Sequence, residues 1–466
     1  MMQFVRSFFR GNGTDSLAGK LSEHYRMARA VFLVAAPMGI LVGLAIAGYD
    51  YVVNDLLWKH CTSALTPRLL CLMPIAGMTL TGIILTVFGV KSSSMADEVV
   101  RAYHRPDQQI DYKTAAPKFA ASVATIGLGA SAGMEGASKW VGATITSFLQ
   151  KQLNRHPRLR WLHMKSETAL MVGAAAGIAA IFRAPLTGAI MGIESPYKRD
   201  MAHEAVIPGL VAAATSYATF CSLRPSTPYF PISFIYHLNL RDLFLCIPLG
   251  IIGGLGSHLF LALLARVKKL NGRFAVPRVV KCFLGGVLLS GLAWLTMEAV
   301  GAPATLQSGL PTATALLAGK YLLGACVLLF LLKMLATVVT FGMGGVGGLF
   351  VPSATMGAAL GAACDLLLQP SQPGLFTLIG IAAFTGASYN SLLFSAVFIA
   401  EATGSPALVV PSLIASCTAF LVAAGISNSE SQRVRRSVTE TRMAVSGAKD
   451  ARAASPALAR KTKMAQ

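Results

Sequence analysis

Apolar residues run in long blocks along the chain, covering 30–48, 69–90, 167–182, 205–221, 243–265, 282–300, 313–332, 334–364 and 391–400. Several blocks reach the roughly 20 residues a helix needs to cross a bilayer, and others fall short. Short apolar helices in lipid are tolerated only where protein buries them or where they line a cavity. The pattern therefore predicts an all-α polytopic membrane protein, some of whose helices are tilted or broken.

Polar positions collect between and beyond these blocks. Residues 1–28 read as a cytoplasmic amphipathic lead-in, 29–430 as one transmembrane domain, and 431–466 as a basic, disordered cytoplasmic tail. The tail is rich in Ala, Ser, Lys and Arg and has too few apolar residues to build a core.

Within the membrane part the pattern repeats. The stretch "GAAAGIAAIFRAPLTGAIMGIE" (173–194) matches "GIAAFTGASYNSLLFSAVFIAE" (380–401) in length, in small and apolar character, and in its closing glutamate. Upstream, "GMEGASKWVG" (133–142) lies over "GLFVPSATMG" (348–357), glycine on glycine at both ends. Each half thus carries a Gly-rich break, a helix start and a small-residue helix. Interrupted helices at matching places in two repeats point to a substrate site near the membrane midplane.

Three stretches look like helix starts inside the membrane: "KSSSMADE" (91–98), "GMEGAS" (133–138) and "GMGGVGGLFVP" (342–352). Such a start presents unpaired N–H groups and the positive end of the helix dipole, and it binds anions without a full charge. Between 334 and 400 the only charged residue is Asp365, so the third start has N–H groups and dipole alone. A cation path would instead want carbonyls or paired carboxylates.

Composition narrows the classes further. The chain is 54% hydrophobic and 13% charged, with 40 Lys+Arg against 20 Asp+Glu. Basic clusters such as "KQLNRHPRLRWLHMK" (151–165) and "RVKKLNGR" (266–273) fit positive-inside topology and contact with anionic lipid. No recognition element for nucleic acid accompanies them. The eight cysteines are scattered with no CxxC pair, so no disulfide framework or metal site is implied. With no catalytic triad, metal cluster or phosphate loop in sight, the reading is a transporter and not an enzyme, with no cofactor. A cation-coupled carrier of organic solutes fits the repeat alone and is the poorer alternative.

Glu135 follows sixteen uncharged positions, 119–134. At a helix N-terminus its carboxylate takes the very place an anion would take. Ionised, it plugs the site; protonated or swung aside, it lets the anion pass. An ionisable residue within the membrane is a functional candidate by default, though a plain capping role is the alternative.

These residues together resemble the CLC family of chloride channels and proton-coupled chloride transporters, over roughly 30–435. "GMEGA" (133–137) is similar to the family's GREGP, with Glu135 in the place of the gating glutamate. "GGLFVP" (347–352) is similar to GGIFAP, which implies that Leu349 and Phe350, with Gly136 nearby, offer backbone N–H groups to the anion. A gapless register from "APKFAAS" back to "SSSMADE" puts Ser94 where the family's GSGIP has its anion-coordinating serine, with Ser92 and Ser93 as alternatives. The resemblance implies two inverted-topology repeats, a homodimer with one pore per subunit, chloride and similar small anions as cargo, and protons as the coupled ion. With its compact loops, the chain is expected in a bacterial plasma (inner) membrane.

The departures set the remaining expectations. Met95 and Ala96 replace the family's residues beside the serine, and Met134 replaces the basic residue beside the gate. Lys139 is placed to pair with Glu135 at i, i+4, or to turn away from the pore; with Met95 and Met134 it is a candidate gate modulator. The internal proton-relay carboxylate of the transporters falls at Ser195, which cannot carry a proton by changing charge, and Glu194 beside it is the candidate substitute. Where the family has an ion-coordinating tyrosine, "GISNSESQ" (425–432) offers only Ser429 by register. These losses predict a chloride path gated by Glu135 with weak coupling or channel behaviour. The alternatives are a chloride/proton antiporter and a fluoride-exporting relative.

Overall fold

The computed structural model describes residue 28 and residues 31–435, except 106, 108, 158–161, 163, 199 and 226. Apart from residue 28 and residues 431–435, the expected N-terminal segment and basic tail lie outside the described residues. In chain order the helices are α1 (Val31–Ala64), α2 (Met73–Val87), α3 (Ala96–Tyr103), α4 (Ala115–Gly127), α5 (Glu135–Arg155), α6 (Ser166–Phe182), α7 (Pro185–Glu194) and α8 (Val206–Leu223). They continue as α9 (Leu240–Arg273), α10 (Arg278–Val300), α11 (Leu310–Leu317), α12 (Leu323–Gly342), α13 (Phe350–Leu368), α14 (Leu375–Tyr389), α15 (Leu392–Thr403) and α16 (Val409–Val422). Among the described residues there is no β-strand, only two isolated bridges. Seven helical segments are long and apolar enough to cross a bilayer, while Ser166–Phe182, Leu375–Tyr389 and Leu392–Thr403 are apolar and shorter.

The apolar block 313–332 is not one helix. It breaks between α11 and α12, where Gly319 takes φ +67° and Lys320 is exposed. A left-handed glycine ends a helix at little cost, and the charged side chain beside it reaches water.

The two repeats fold alike: α5, α6, α7 and α8 correspond to α13, α14, α15 and α16. Arg183 and Asn390, at matching positions, both adopt left-handed backbone, with φ +56° and +52°. Each ends a small-residue helix just before a short one begins. The crossings match too. A Cβ on Gly357 would lie 2.5 Å from the carbonyl oxygen of Gly380; in the first repeat, a Cβ on Gly142 would strike the carbonyl oxygen of Gly173. Only glycine lets these backbones touch, as in other tightly packed membrane helices.

The repeats also trade caps. Glu194, at the end of α7, accepts from Ser391 Oγ and from the N–H groups of Leu393 (3.3 Å) and Phe394 (3.2 Å) at the start of α15. Glu401, near the end of α15, accepts from the N–H groups of Leu186 (3.0 Å) and Thr187 (2.6 Å) and from Thr187 Oγ1 (2.5 Å) at the start of α7. Each short helix is thus capped by the glutamate of its counterpart, so the N–H groups left over by one break are satisfied by the other. A carboxylate is favoured at both places by the helix dipole.

Replacing Glu401 by Ala leaves three donors at the start of α7 unpaired, and is expected to cost about 1–3 kcal/mol. The check is a lowered apparent Tm of the detergent-solubilised protein. An unchanged Tm would show that water takes over the cap.

Candidate functional site

The two Gly-rich breaks meet. Gly133 and Gly348, equivalent in the repeats, form an isolated antiparallel bridge: Gly133 N–H donates to Gly348 O (2.8 Å) and Gly348 N–H to Gly133 O (2.7 Å). The bridge holds the first turns of α5 and α13 against each other. A Cβ on Gly136 would stand 2.8 Å from Gly348 Cα, so the approach depends on glycine on both sides.

Glu135, the first residue of α5, is 2% exposed. Its Oε1 accepts from Phe350 N–H and, at 3.2 Å, from Val351 N–H. These are the first donors of α13. The carboxylate oxygen therefore sits where an anion would be bound by that helix start. Its second oxygen, Oε2, is buried without a partner. A Cβ on Gly348 would overlap this carboxylate, which explains a glycine there.

Phe350 is held by rings on all sides: Phe182 at 4.8 Å, Phe398 at 4.9 Å, Phe394 at 5.0 Å and Tyr389 at 5.5 Å between centroids. Phe182 and Tyr389 are repeat equivalents, each the last residue of its small-residue helix. The packed rings fix the backbone whose N–H groups hold Glu135.

Two cavities approach this point. One, of about 500 Å³, is lined by Lys91, Arg101, Lys268, Arg278 and Lys281, and reaches Gly348, Leu349 and Tyr389. The other, of about 290 Å³, is lined by Asp50, Asn54, Met134, Arg183 and Gln307, and reaches Glu135 and Val351. Glu135 stands between them.

The other residues singled out from the sequence fall as follows. Ser92, Ser93 and Ser94 all line the basic mouth, with Ser94 N–H donating to Ser92 Oγ at 3.3 Å. Met95 is buried just before α3. Met134 lines the opposite cavity, and its Sδ accepts from Asn54 Nδ2 at 3.5 Å. Lys139 makes no ion pair with Glu135; it turns to a small chamber that also holds Ser195, and the opposite charge acting on it is Asp97. Ser195 Oγ donates to Gly192 O at 3.1 Å, and Glu194 is occupied as the cap of α15.

Ser429 differs from its expected use. Its Oγ donates to Asp97 Oδ1 at 2.7 Å, and the same carboxylate accepts from Ser431 N–H (2.9 Å), Ser431 Oγ (2.8 Å) and Arg101 (2.9 Å). Asp97, in the first turn of α3, thus ties down segment 429–431. An aromatic hydroxyl approaches the start of α13 from elsewhere: Tyr389 is half-buried at the end of α14, its oxygen next to the N–H of Leu349 and the amide of Asn428. Phe350 N–H thus donates to Glu135, while Leu349 N–H lies near the Tyr389 oxygen. Tyr389 was legible only as an aromatic inside a run of small residues, since its hydroxyl reaches the site through the fold and not through register.

The profile of the voltage gated chloride channel family matches residues 76–424. The H(+)/Cl(-) exchange transporter ClcA of Citrobacter koseri is 28% identical over 320 residues, which cover 66% of this chain and 65% of that relative. A CLC-type fluoride/proton antiporter of known structure superposes with TM-score 0.74 at 21% identity, covering 87% of this chain and 98% of its own. A slow cyanobacterial Cl−/H+ antiporter gives TM-score 0.73 at 20% identity, covering 85% and 94%. With three quarters of its length matched by that profile, this chain belongs to the voltage gated chloride channel family, the CLC proteins.

Proposed function

We propose that the chain exchanges chloride for protons across the membrane, with Glu135 alternately holding the anion's place and carrying the proton. The observation that carries this is the bond of Glu135 Oε1 to the N–H groups of Phe350 and Val351. A carboxylate and a chloride compete for the same two donors. Protonation removes the charge that the helix start attracts, so a proton on Glu135 and an anion on α13 favour each other.

The weak coupling expected from the sequence rested on two losses. One is offset here, because Tyr389 puts an aromatic hydroxyl at the inner side of the site. Similarity to a relative named as a proton/chloride exchanger supports the coupled reading. The basic mouth, with five Lys and Arg side chains, is assigned to the cytoplasmic side by the positive-inside bias. On the family resemblance, the working unit is a pair of chains, each with its own pore.

In proteoliposomes, chloride leaving down its gradient is expected to drive protons inward against theirs. Glu135→Gln is expected to abolish the proton movement while chloride still passes. Chloride efflux from wild-type vesicles without proton movement would make the protein a channel instead. Substituting fluoride for chloride in the same vesicles tests the fluoride-exporting alternative.

Glu135→Ala vacates two charge-assisted hydrogen bonds that an anion can then make. By isothermal titration calorimetry its affinity for chloride is expected to rise about tenfold, the equivalent of one such bond at about 1.5 kcal/mol. An unchanged affinity would place the anion away from the start of α13.

A further inference from the structure

Behind the ion path, α5, α7, the start of α15 and the segment 428–432 enclose a chamber of about 30 Å³, lined among others by Lys139, Ser195, Tyr389, Ser391 and Gln432. That is room for a water molecule. Lys139 is 3% exposed and has no hydrogen bond or ion pair among the described residues. Asp97 is the opposite charge acting on it, and both Asp97 oxygens are taken by Ser429, Ser431 and Arg101.

The far wall is complementary. Gln432 Nε2 donates to Ser195 O (3.2 Å) and Tyr389 O (3.4 Å). Two carbonyls on that side fix which end of the amide is nitrogen. Gln432 Oε1 is left as a buried acceptor without a partner. An unpaired donor and an unpaired acceptor thus border one chamber. Water satisfies both, accepting from the ammonium and donating to the amide oxygen. A chloride would satisfy Lys139 alone, stand against Gln432 Oε1, and lie beside the Asp97 carboxylate. The chamber suits water over an anion.

The other charged and titratable groups around Lys139 are committed. On α3, Glu98 is bound by Lys118 (2.5 Å) and Trp140 (2.9 Å). On α7, Glu194 caps α15. On α1, Asp50 is paired with Arg224 at 2.6 Å. Between Glu167 and Arg183, α6 has no ionisable side chain. Tyr389 faces the chamber from α14. Glu135, one turn earlier on α5, is bound only to the start of α13 and is the one carboxylate here that transport requires to move.

We propose that Lys139 is the inner proton carrier of this protein, receiving protons through the water chamber and handing them to Glu135. This rests on the anion/proton exchange proposed above. In the transfer an N–H bond of the ammonium breaks as an O–H bond forms on Glu135, leaving a neutral amine and a carboxylic acid. The amine then takes a proton from hydronium arriving through the chamber, releasing water. Side chains at i and i+4 are neighbours on a helix surface, so Glu135 comes within reach once it leaves Phe350 and Val351. The position where the resemblance puts a relay carboxylate holds Ser195, on the wall of this same chamber, and the lysine supplies the titratable group that serine lacks.

The test uses the full-length chain in liposomes, with chloride and pH recorded together for wild type, Lys139→Met and Lys139→Arg. Arginine keeps the positive charge and does not release its proton, so it separates proton transfer from electrostatics. Chloride is expected to leave the vesicles in both variants, with protons moved per chloride falling about tenfold or more in each. If wild type couples and Lys139→Arg couples equally well, Lys139 is not the carrier, and the exchange reading stands without it. If wild type moves no protons, both the exchange reading and this assignment fall. Should the Lys139 variants not assemble, Gln432→Met removes the water's acceptor. It is expected to lower coupling in the same way, and unchanged coupling there overturns the proposal.

Discussion

Two backbone hydrogen bonds between Gly133 and Gly348 decide the character of the candidate site. They bring two helix starts together deep in the protein, where each contributes N–H groups with no partner in its own helix. Away from water such groups must be satisfied. Glu135 satisfies two of them with one oxygen. In the proposed exchange the carboxylate fills a helix start that an anion would otherwise fill, and the proposed gate follows from the hydrogen-bonding requirement itself.

The same requirement shapes the periphery. The short helices α7 and α15 also begin inside the protein, and their donors are taken by Glu401 and Glu194. Removing either carboxylate exposes the other repeat's helix start, so these glutamates are fixed in a way that Glu135 is not. The difference lies in the number of bonds. Glu401 uses both oxygens and accepts from three donors, whereas Glu135 leaves Oε2 unpartnered. A carboxylate with an idle buried oxygen gives up less on leaving.

Much of this was legible in the sequence because it lies in local pattern. The glycine pairs at 133 and 348, the matching 22-residue runs and the lone carboxylate at 135 each predict a feature that a reader can check on the chain. What escaped depends on long-range geometry. Tyr389 reaches Leu349 from the end of a different helix, and no spacing rule connects positions 40 apart. Ser429 had the right register and the wrong neighbour, since Asp97 on α3 claims its hydroxyl. The i, i+4 spacing placed Lys139 beside Glu135, but a lysine long enough to reach its neighbour also reaches past it, and the chamber with Asp97 nearby took it. The break at Gly319 and Lys320 was hidden because the runs 313–318 and 321–332 on either side are equally free of charge.

The placement of full charges follows a single logic. Lys118 is bound to Glu98, Arg101 to Asp97, and Arg224 to Asp50 and Asp55. Lys333, buried in α12, is surrounded by the carbonyls of Thr305 (3.0 Å) and Gln307 (2.7 Å). None of these cations donates to the start of α13, where the donors are backbone N–H groups. An ammonium buried against a small anion at low dielectric would hold it by far more than a pair of dipoles would, and release would be slow. Cations crowd the basic mouth, where water screens them and they raise the local anion concentration. Arg101, Lys118 and Arg224 are paired with carboxylates, Lys333 meets carbonyls and Lys139 turns to its chamber, so at the start of α13 only dipoles and one glutamate remain. An ion drawn in by charge and held by dipoles can leave as readily as it entered.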